Sequence, residues 1–427
     1  MLVTNPFVGN TVVRLKGFQK LTSTDEALQT WLNVLQVKRG EVVTVPLNEA
    51  LNRVLAKDMV AKEDLPRFDK SAVDGYALRA ENTMGTSQFK PVIFQITKFE
   101  EVDSKQAKQV WTGNAIPKGA NAVVMIENTK RRDGELEVWV QLPLGGNVSK
   151  KGEDVKKGEN VVKAGTRLNP YHLGLLAALG NGEVEVIEKP SIAILATGNE
   201  LAEAGSKLSE NQIFESNRIM LSAMCRELDA EPVDLGIAKD DVNDIAEKLR
   251  MALRNCDAVI TTGGTSVGGV DLVPDAVNEI GKPGVVVHGM AMRPAMPTAL
   301  AVLEGKPVII LSGNPVAAII GFEVFARPLI CRMQGMSKEE ARPAVKAVMA
   351  RKIATALGRR TFVRVRVLRK DGEFFAEPVS ARGSGAISTM TRGNGFVIVP
   401  ENREGVTEGE IVTAHLFGKV ETVIEDV

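Results

Sequence analysis

At 427 residues the chain is too long for one ordinary domain, and two to four are expected. Hydrophobic residues make up 44% and charged residues 25%, enough for full cores in a globular chain. The 53 Lys plus Arg equal the 53 Asp plus Glu, so the basic excess that marks nucleic-acid binders is missing. The three cysteines, Cys225, Cys256 and Cys331, form no C-x-x-C pair and read as reduced core thiols. Only three histidines occur (His172, His288, His415), which removes a three-histidine zinc centre and leaves each as a structural residue. Chemistry must then rest on carboxylates, hydroxyls and backbone amides, with a hard metal ion as a further candidate. No basic region followed by an apolar run opens the chain, and no apolar stretch is long enough to span a bilayer. A soluble cytoplasmic protein is the expectation.

Residues 24–36 place Leu28, Trp31, Leu32 and Leu35 on one helical face, with Ser23 and Glu26 spaced as a capping box. After Leu65-Pro66 the texture turns to β-prone segments, PVIFQITKF, AVVMIE and LEVWVQLPL, so residues 66–149 read as an inserted β module. A helical YHLGLLAAL (171–179) returns the chain to an outer domain, built discontinuously from 1–65 and 150–189. From Ser191 strand and helix alternate: SIAILAT, SNRIMLSAMCREL, DDVNDIAEKLRMALRNC, then AVITTGG, GVVVHG and PVIILSGNP. That alternation predicts a parallel α/β sheet over 190–335. Beyond it RTFVRVRVLRK, FFAEPVS, GFVIVPE and EIVTAHLF make 340–427 a β-rich domain. The fold class is therefore multidomain α/β plus β.

In an open parallel sheet, ligands bind beyond the carboxyl ends of the strands. The unusual residues stand there: Thr197-Gly198-Asn199-Glu200, the run from Thr261 to Asp271, and Ser312-Gly313-Asn314-Pro315. Glycines alone make tight turns, but three such turns at three strand ends predict a ligand cleft with unhindered amides for an anion. The spacing matches neither the G-x-G-x-x-G fingerprint nor a Walker A loop. Glu200, Asp240 and Asp271 follow predicted strand ends, and clustered carboxylates beside an anion site call for a divalent cation such as Mg²⁺. Asp241 reads as the cap of the helix it precedes, while for Asp240 the cap and ligand readings stay open.

With these segments in order, the chain resembles the MoeA/gephyrin family of molybdopterin molybdenumtransferases across nearly its whole length. The matching stretches are FDKSAVDGYALR (68–79), TGNAIPKGANAVV (112–124), GED (152–154), ATGNEL (196–201), ESNR (215–218), GGTSVGGVD (263–271), SGNPVAA (312–318) and GSG (383–385). The resemblance implies a four-domain homodimer in which 1–65 with 150–189 is the dimerisation domain and 190–335 binds molybdopterin. It implies that adenylylated molybdopterin is cleaved, AMP leaves, and molybdate enters the dithiolene, with Mg²⁺ as cofactor. The adenylylating enzyme of the same pathway would be a partner. By motif position the catalytic set would be Asp74, Thr112, Asp154, Glu200, Asp240 and Asp271. Glu200, Asp240 and Asp271 would be metal ligands. Substrate contacts would come from Gly263, Gly264, Thr265, Ser266, Gly268, Arg293, Ser312, Gly313, Asn314, Pro315 and Ser384.

The sequence also departs from the family pattern. Arg293-Pro294-Ala295-Met296-Pro297 stands where a two-lysine segment is usual, Ser149 where an arginine is common, and Gly269 where an acid is frequent. These departures leave two alternatives, a molybdopterin or cofactor carrier and a divergent paralogue with weakened catalysis or a tungstate preference.

Overall fold

The structure is a computed structural model that describes residues 21–264, 272–336, 341–379 and 383–422. Its contacts divide the chain into two compact units. One holds Thr44–Leu51 with Leu55–Val186, and the other holds the rest of the described residues.

Helix α1 (Thr24–Val34) begins at Ser23, whose side chain accepts the Glu26 amide. The expectation grouped this helix with 150–189, yet its face is spent elsewhere. Ala27, Trp31 and Leu35 are buried in one core with Ile194, Leu300 and Ile309, and Trp31 Nε1 donates to Ala301 O at 2.8 Å. A large aromatic with one polar atom goes where both its surface and its N–H are satisfied, so α1 belongs with the α/β unit.

In the smaller unit, the inserted module forms one six-stranded sheet. Its strands are β1 (Gly75–Leu78), β2 (Val92–Ile96), β3 (Gln106–Val110), β4 (Ala122–Met125), β5 (Thr129–Arg132) and β6 (Glu135–Val138). They run in the order β4-β1-β3-β2-β6-β5, with only β2 and β3 parallel. Tyr76, Leu78, Phe94, Val124, Leu136 and Val138 fill its core. Helix α2 (Pro170–Ala178) follows, capped by Asn169 and His172 in a reciprocal box that accounts for that histidine.

The larger unit opens with β7 (Ser191–Thr197), α3 (Asn217–Glu227), β8 (Glu231–Ala238), α4 (Val242–Asn255), β9 (Ala258–Thr262) and α5 (Leu272–Ile280). Then come β10 (Gly284–His288), β11 (Ala299–Leu303), β12 (Lys306–Leu311), α6 (Pro315–Gly321) and α7 (Arg327–Met333). The sheet order is β8-β7-β9-β12-β11-β10. The strands are parallel except β11, which pairs antiparallel with both neighbours. The parallel α/β sheet expected over 190–335 is present, with this one strand reversed. Glu304 and Gly305 join β11 to β12, both with positive φ, and a two-residue turn makes a hairpin, never a parallel crossover. From β7 the chain goes first to one side, β8, and then to the other, β9, so the switch point lies between β7 and β9.

The C-terminal strands β13 (Ala344–Met349), β14 (Arg360–Lys370) and β15 (Glu373–Pro378) are followed by α8 (Ser388–Arg392), β16 (Gly395–Val399) and β17 (Ile411–Leu416). They close a barrel in the order β14-β15-β13-β17-β16 and back to β14. Val365, Val367, Ala376, Val397, Val399 and Ala414 fill it. No helix among the described residues is long and apolar enough to cross a membrane.

Candidate active site

At the switch point a cleft of about 650 Å³ opens beyond the ends of β7, β9 and β12. Its walls are the three predicted turns: Thr197, Gly198 and Glu200; Thr262, Gly263 and Gly264; and Ser312 to Pro315. Asp240 joins them from the end of β8. The tertiary structure thus brings Glu200, Asp240, Gly263, Gly264, Ser312, Gly313, Asn314 and Pro315 to one place.

The glycines there are demanded by close approach. Gly263 and Gly264 have φ of +95° and +64°, and a Cβ on Gly263 would stand 2.4 Å from Thr197 O. On Gly264 it would stand 2.7 Å from Val273 Cγ2. Both values lie inside van der Waals contact and in a backbone region L-residues avoid.

The two acids at the end of β8 divide their roles. Asp241 accepts the amides of Asn243 and Asp244 and caps α4. Asp240 accepts the Asn199 amide at 3.0 Å, while Asn199 Oδ1 accepts the Asp240 amide at 3.2 Å. That exchange fixes the Glu200 turn to the end of β8 and keeps Asp240 in the cleft. Among the described residues no three His, Cys, Asp or Glu side chains converge in a manner that would hold a metal. Asp271, the third predicted ligand, lies outside the described residues, as do Thr265, Ser266 and Gly268.

Other predicted residues have different surroundings. The Ser384 carbonyl accepts the Val316 amide at 3.0 Å, so a first-turn N–H of α6 is already occupied by the chain. Arg293 is exposed beside β14, Met296 is half-buried, and Pro297 is the member of their segment that lines the cleft. In the smaller unit Asp74 and Thr112 meet at the ends of β1 and β3. Asp74 Oδ1 accepts the Thr112 amide at 2.7 Å and its hydroxyl at 2.8 Å. These two donors, the amide first, hold the Asp74 carboxyl below the usual carboxylate range. Asp154 is exposed, in a turn where Ser149 donates to Glu153 and Lys150 pairs with Asp69 at 2.9 Å.

Sequence reasoning quoted ESNR without assigning its members, and the structure gives them work. Arg218 is buried and binds Glu203, Glu215 and Asp234, tying the 203–215 excursion to α3 and β8. Burial pulls its guanidinium down, yet the hydrogen bonds with Asp234 and Glu203 raise it on balance. Asn217 Nδ2 donates to Thr262 Oγ1 and to Gly313 O, both at 2.8 Å, which links two of the three turns. A polar residue inside the first helical turn, past the cap, is the signal that marks it.

Known proteins resemble the chain along most of its length. Residues 22–180 match the MoeA N-terminal region (domain I and II), 193–332 the probable molybdopterin binding domain, and 346–417 the MoeA C-terminal region (domain IV). The chain is 37% identical over 412 residues to a putative molybdopterin biosynthesis protein of Methanocaldococcus jannaschii, covering 94% of this chain and 99% of the relative. It is 34% identical over 395 residues to the molybdopterin molybdenumtransferase of Staphylococcus aureus strain COL, covering 91% and 93%. Among solved structures, the molybdopterin biosynthesis MoeA protein of Pyrococcus horikoshii OT3 superposes with a TM-score of 0.78 at 34% identity. It covers 93% of this chain and 100% of that one.

Proposed function

Since the chain belongs to the MoeA family of molybdopterin molybdenumtransferases, we propose that it takes adenylylated molybdopterin and molybdate, releases AMP, and completes the molybdenum cofactor in a magnesium-dependent step. The observation that supports this most directly is the charge of the cleft. Glu200, Glu215 and Asp240 line it, and among the described residues no Lys or Arg does. In sequence, the run that follows Gly264, TSVGGVD (265–271), holds one acid and no base. A phosphate-bearing ligand therefore needs a cation that the lining lacks. Glu200 and Asp240, with Asp271, are hard oxygen donors of the kind Mg²⁺ takes alongside phosphate oxygens, and the ion would supply charge neutralisation at the cleaved anhydride.

The chain's own residues do the positioning. The Gly263 and Gly264 turn packs closely against Thr197 and Val273 at the cleft wall, and its amides would face the anionic part of the ligand. Asp240 is oriented by the Asn199 amide and Ser312 Oγ accepts the Asn314 amide, so neither turn is left to wander. Asp74 and Thr112 form a preset pair that contributes from the β module, and Asp154 adds a further carboxylate.

We further propose a cytoplasmic homodimer that receives its substrate from the adenylylating enzyme. Helix α2 supports the dimer: PYHLGLLAA is apolar nearly all round, but only Leu176 is fully buried and Tyr171 is 85% exposed. A helix of that composition normally has a partner on its outer face. Molybdate added to purified protein and adenylylated molybdopterin should release AMP, and EDTA should stop it. Retention of molybdopterin without AMP release would favour the carrier reading instead.

A further inference from the structure

The floor and the mouth of the cleft differ in chemistry. Glu200 and Asp240 are exposed, whereas Thr197 and Asn217 are 3% and 6% exposed. Both floor residues have a side-chain oxygen, Thr197 Oγ1 and Asn217 Oδ1, with no hydrogen-bond partner among the described residues. The orientation of the Asn217 amide is set by its neighbours. Gly313 O can only accept, so the atom facing it must be the NH₂ group. Thr262 Oγ1 already donates to Ser312 O at 3.1 Å, so it too accepts from Asn217. The chain Asn217 Nδ2 to Thr262 Oγ1 to Ser312 O therefore leaves Oδ1 as an acceptor and nothing else. Two buried oxygens without partners are costly, and they lie against the glycine turn. A Cβ on Gly263 or Gly264 would come within 3.0 or 2.9 Å of Thr197 Oγ1.

We infer that Thr197 and Asn217 are specificity-determining acceptors for the N–H-bearing edge of the pterin, which enters the floor of the cleft while the anionic groups stay at its mouth. This rests on the molybdopterin reading above and goes further by giving the ligand a direction. An oxyanion presents acceptors, so Asn217 Oδ1 repels it. The amino and lactam N–H groups of a pterin are donors, and they satisfy Asn217 Oδ1 and Thr197 Oγ1 together. Desolvation acts in the same sense, because a neutral ring edge is cheaper to bury than a phosphate or molybdate. The exposed mouth keeps the charged groups beside Glu200, Asp240 and their cation.

The test uses the full chain and two probes, unsubstituted pterin (2-amino-4-oxopteridine) and molybdate, with binding measured by calorimetry and pterin fluorescence. Thr197→Val is nearly isosteric and removes no hydrogen bond that the described structure makes, so its melting temperature should equal or exceed that of the wild type. It should bind pterin about tenfold more weakly, the worth of one hydrogen bond to the ligand, with molybdate affinity unchanged. Thr197→Ser, which keeps the hydroxyl, should restore pterin binding. If Thr197→Val weakens both probes equally, or leaves pterin binding intact, the inference is wrong while the molybdopterin reading stands. If the wild type binds neither probe, that reading falls and takes the inference with it.

Discussion

Asp240 and Asp241 are neighbours in sequence with separate duties, and substitution should split them. Asp241 satisfies two first-turn amides of α4, so Asp241→Ala should lower stability by about 1 kcal/mol and leave turnover near wild type. Asp240 caps nothing and faces the cleft. Asp240→Asn should melt as the wild type does yet lose about tenfold or more in molybdate-dependent AMP release, the scale of one charge-assisted contact. A thermal melt and an AMP assay on each variant decide it, and an Asp240→Asn enzyme with full activity would remove that residue from the site. Gly264 behaves differently from both. Alanine there meets Val273 and Thr197 in a left-handed backbone, so Gly264→Ala should lose about 1–2 kcal/mol of stability as well as ligand affinity. A change at this position therefore reports on folding and binding together, and a chemical denaturation curve must accompany any binding measurement.

At the scale of elements, the passage from α6 to α7 runs through a π-helical turn, Phe322–Ala326. Glu323 sits in it with its side chain only 7% exposed, held by Arg327 at 2.8 Å and Arg342 at 2.7 Å. Burial pushes its carboxyl up, but the hydrogen bonds from Arg342 and Arg327 outweigh burial and bring it below the ordinary carboxylate range. A depressed folded-state value means stabilisation that is complete above the unfolded carboxyl value and is lost as pH falls through the folded one. Urea midpoints should therefore fall on acidification below about pH 4.5. Glu323→Gln leaves two largely buried guanidinium groups short of a partner and should cost about 3 kcal/mol at neutral pH. Its gap to the wild type should narrow as the pH drops, and a gap independent of pH would show that Glu323 acts by shape alone. Helix α2 gives the second test at this scale. Tyr171→Asp should shift the proposed dimer toward monomer in sedimentation without unfolding it, since Tyr171 is exposed within its own chain.

At the scale of the whole molecule, the predicted functional residues fall into two compact units. Asp74, Thr112 and Asp154 belong to one, and the glycine-turn cleft belongs to the other. The proposed dimer would let one subunit's β module serve its partner's cleft. Mixing Asp74→Asn subunits with Asp271→Asn subunits should then restore part of the AMP release that each parent lacks. Hybrids shown by crosslinking to form, yet as inactive as the parents, would mean that each site is built within one chain.

Much of this was legible before any coordinates. SIAILAT and RTFVRVRVLRK became strands with those boundaries, because unbroken β-branched and alternating runs bounded by proline, glycine or polar turns leave little choice. The three glycine-bearing turns at the strand ends were legible too, and they converge on one cleft, the position where open α/β sheets place their sites. The cap at Asp241 followed from local hydrogen bonding alone. Other features needed distant partners. The antiparallel course of β11 depended on pairing with β12, and the burial of α1 depended on where a core accepted Trp31. The importance of Asn217 came from Gly313 and Thr262, residues 96 and 45 positions away. By itself the sequence determined the elements, the turns and the acids they present, since these follow from backbone and side-chain chemistry within a few residues. Only the tertiary structure decided which unit α1 joined and which oxygens lay unpaired at the floor of the cleft, because burial and hydrogen-bond satisfaction are properties of the whole packed chain.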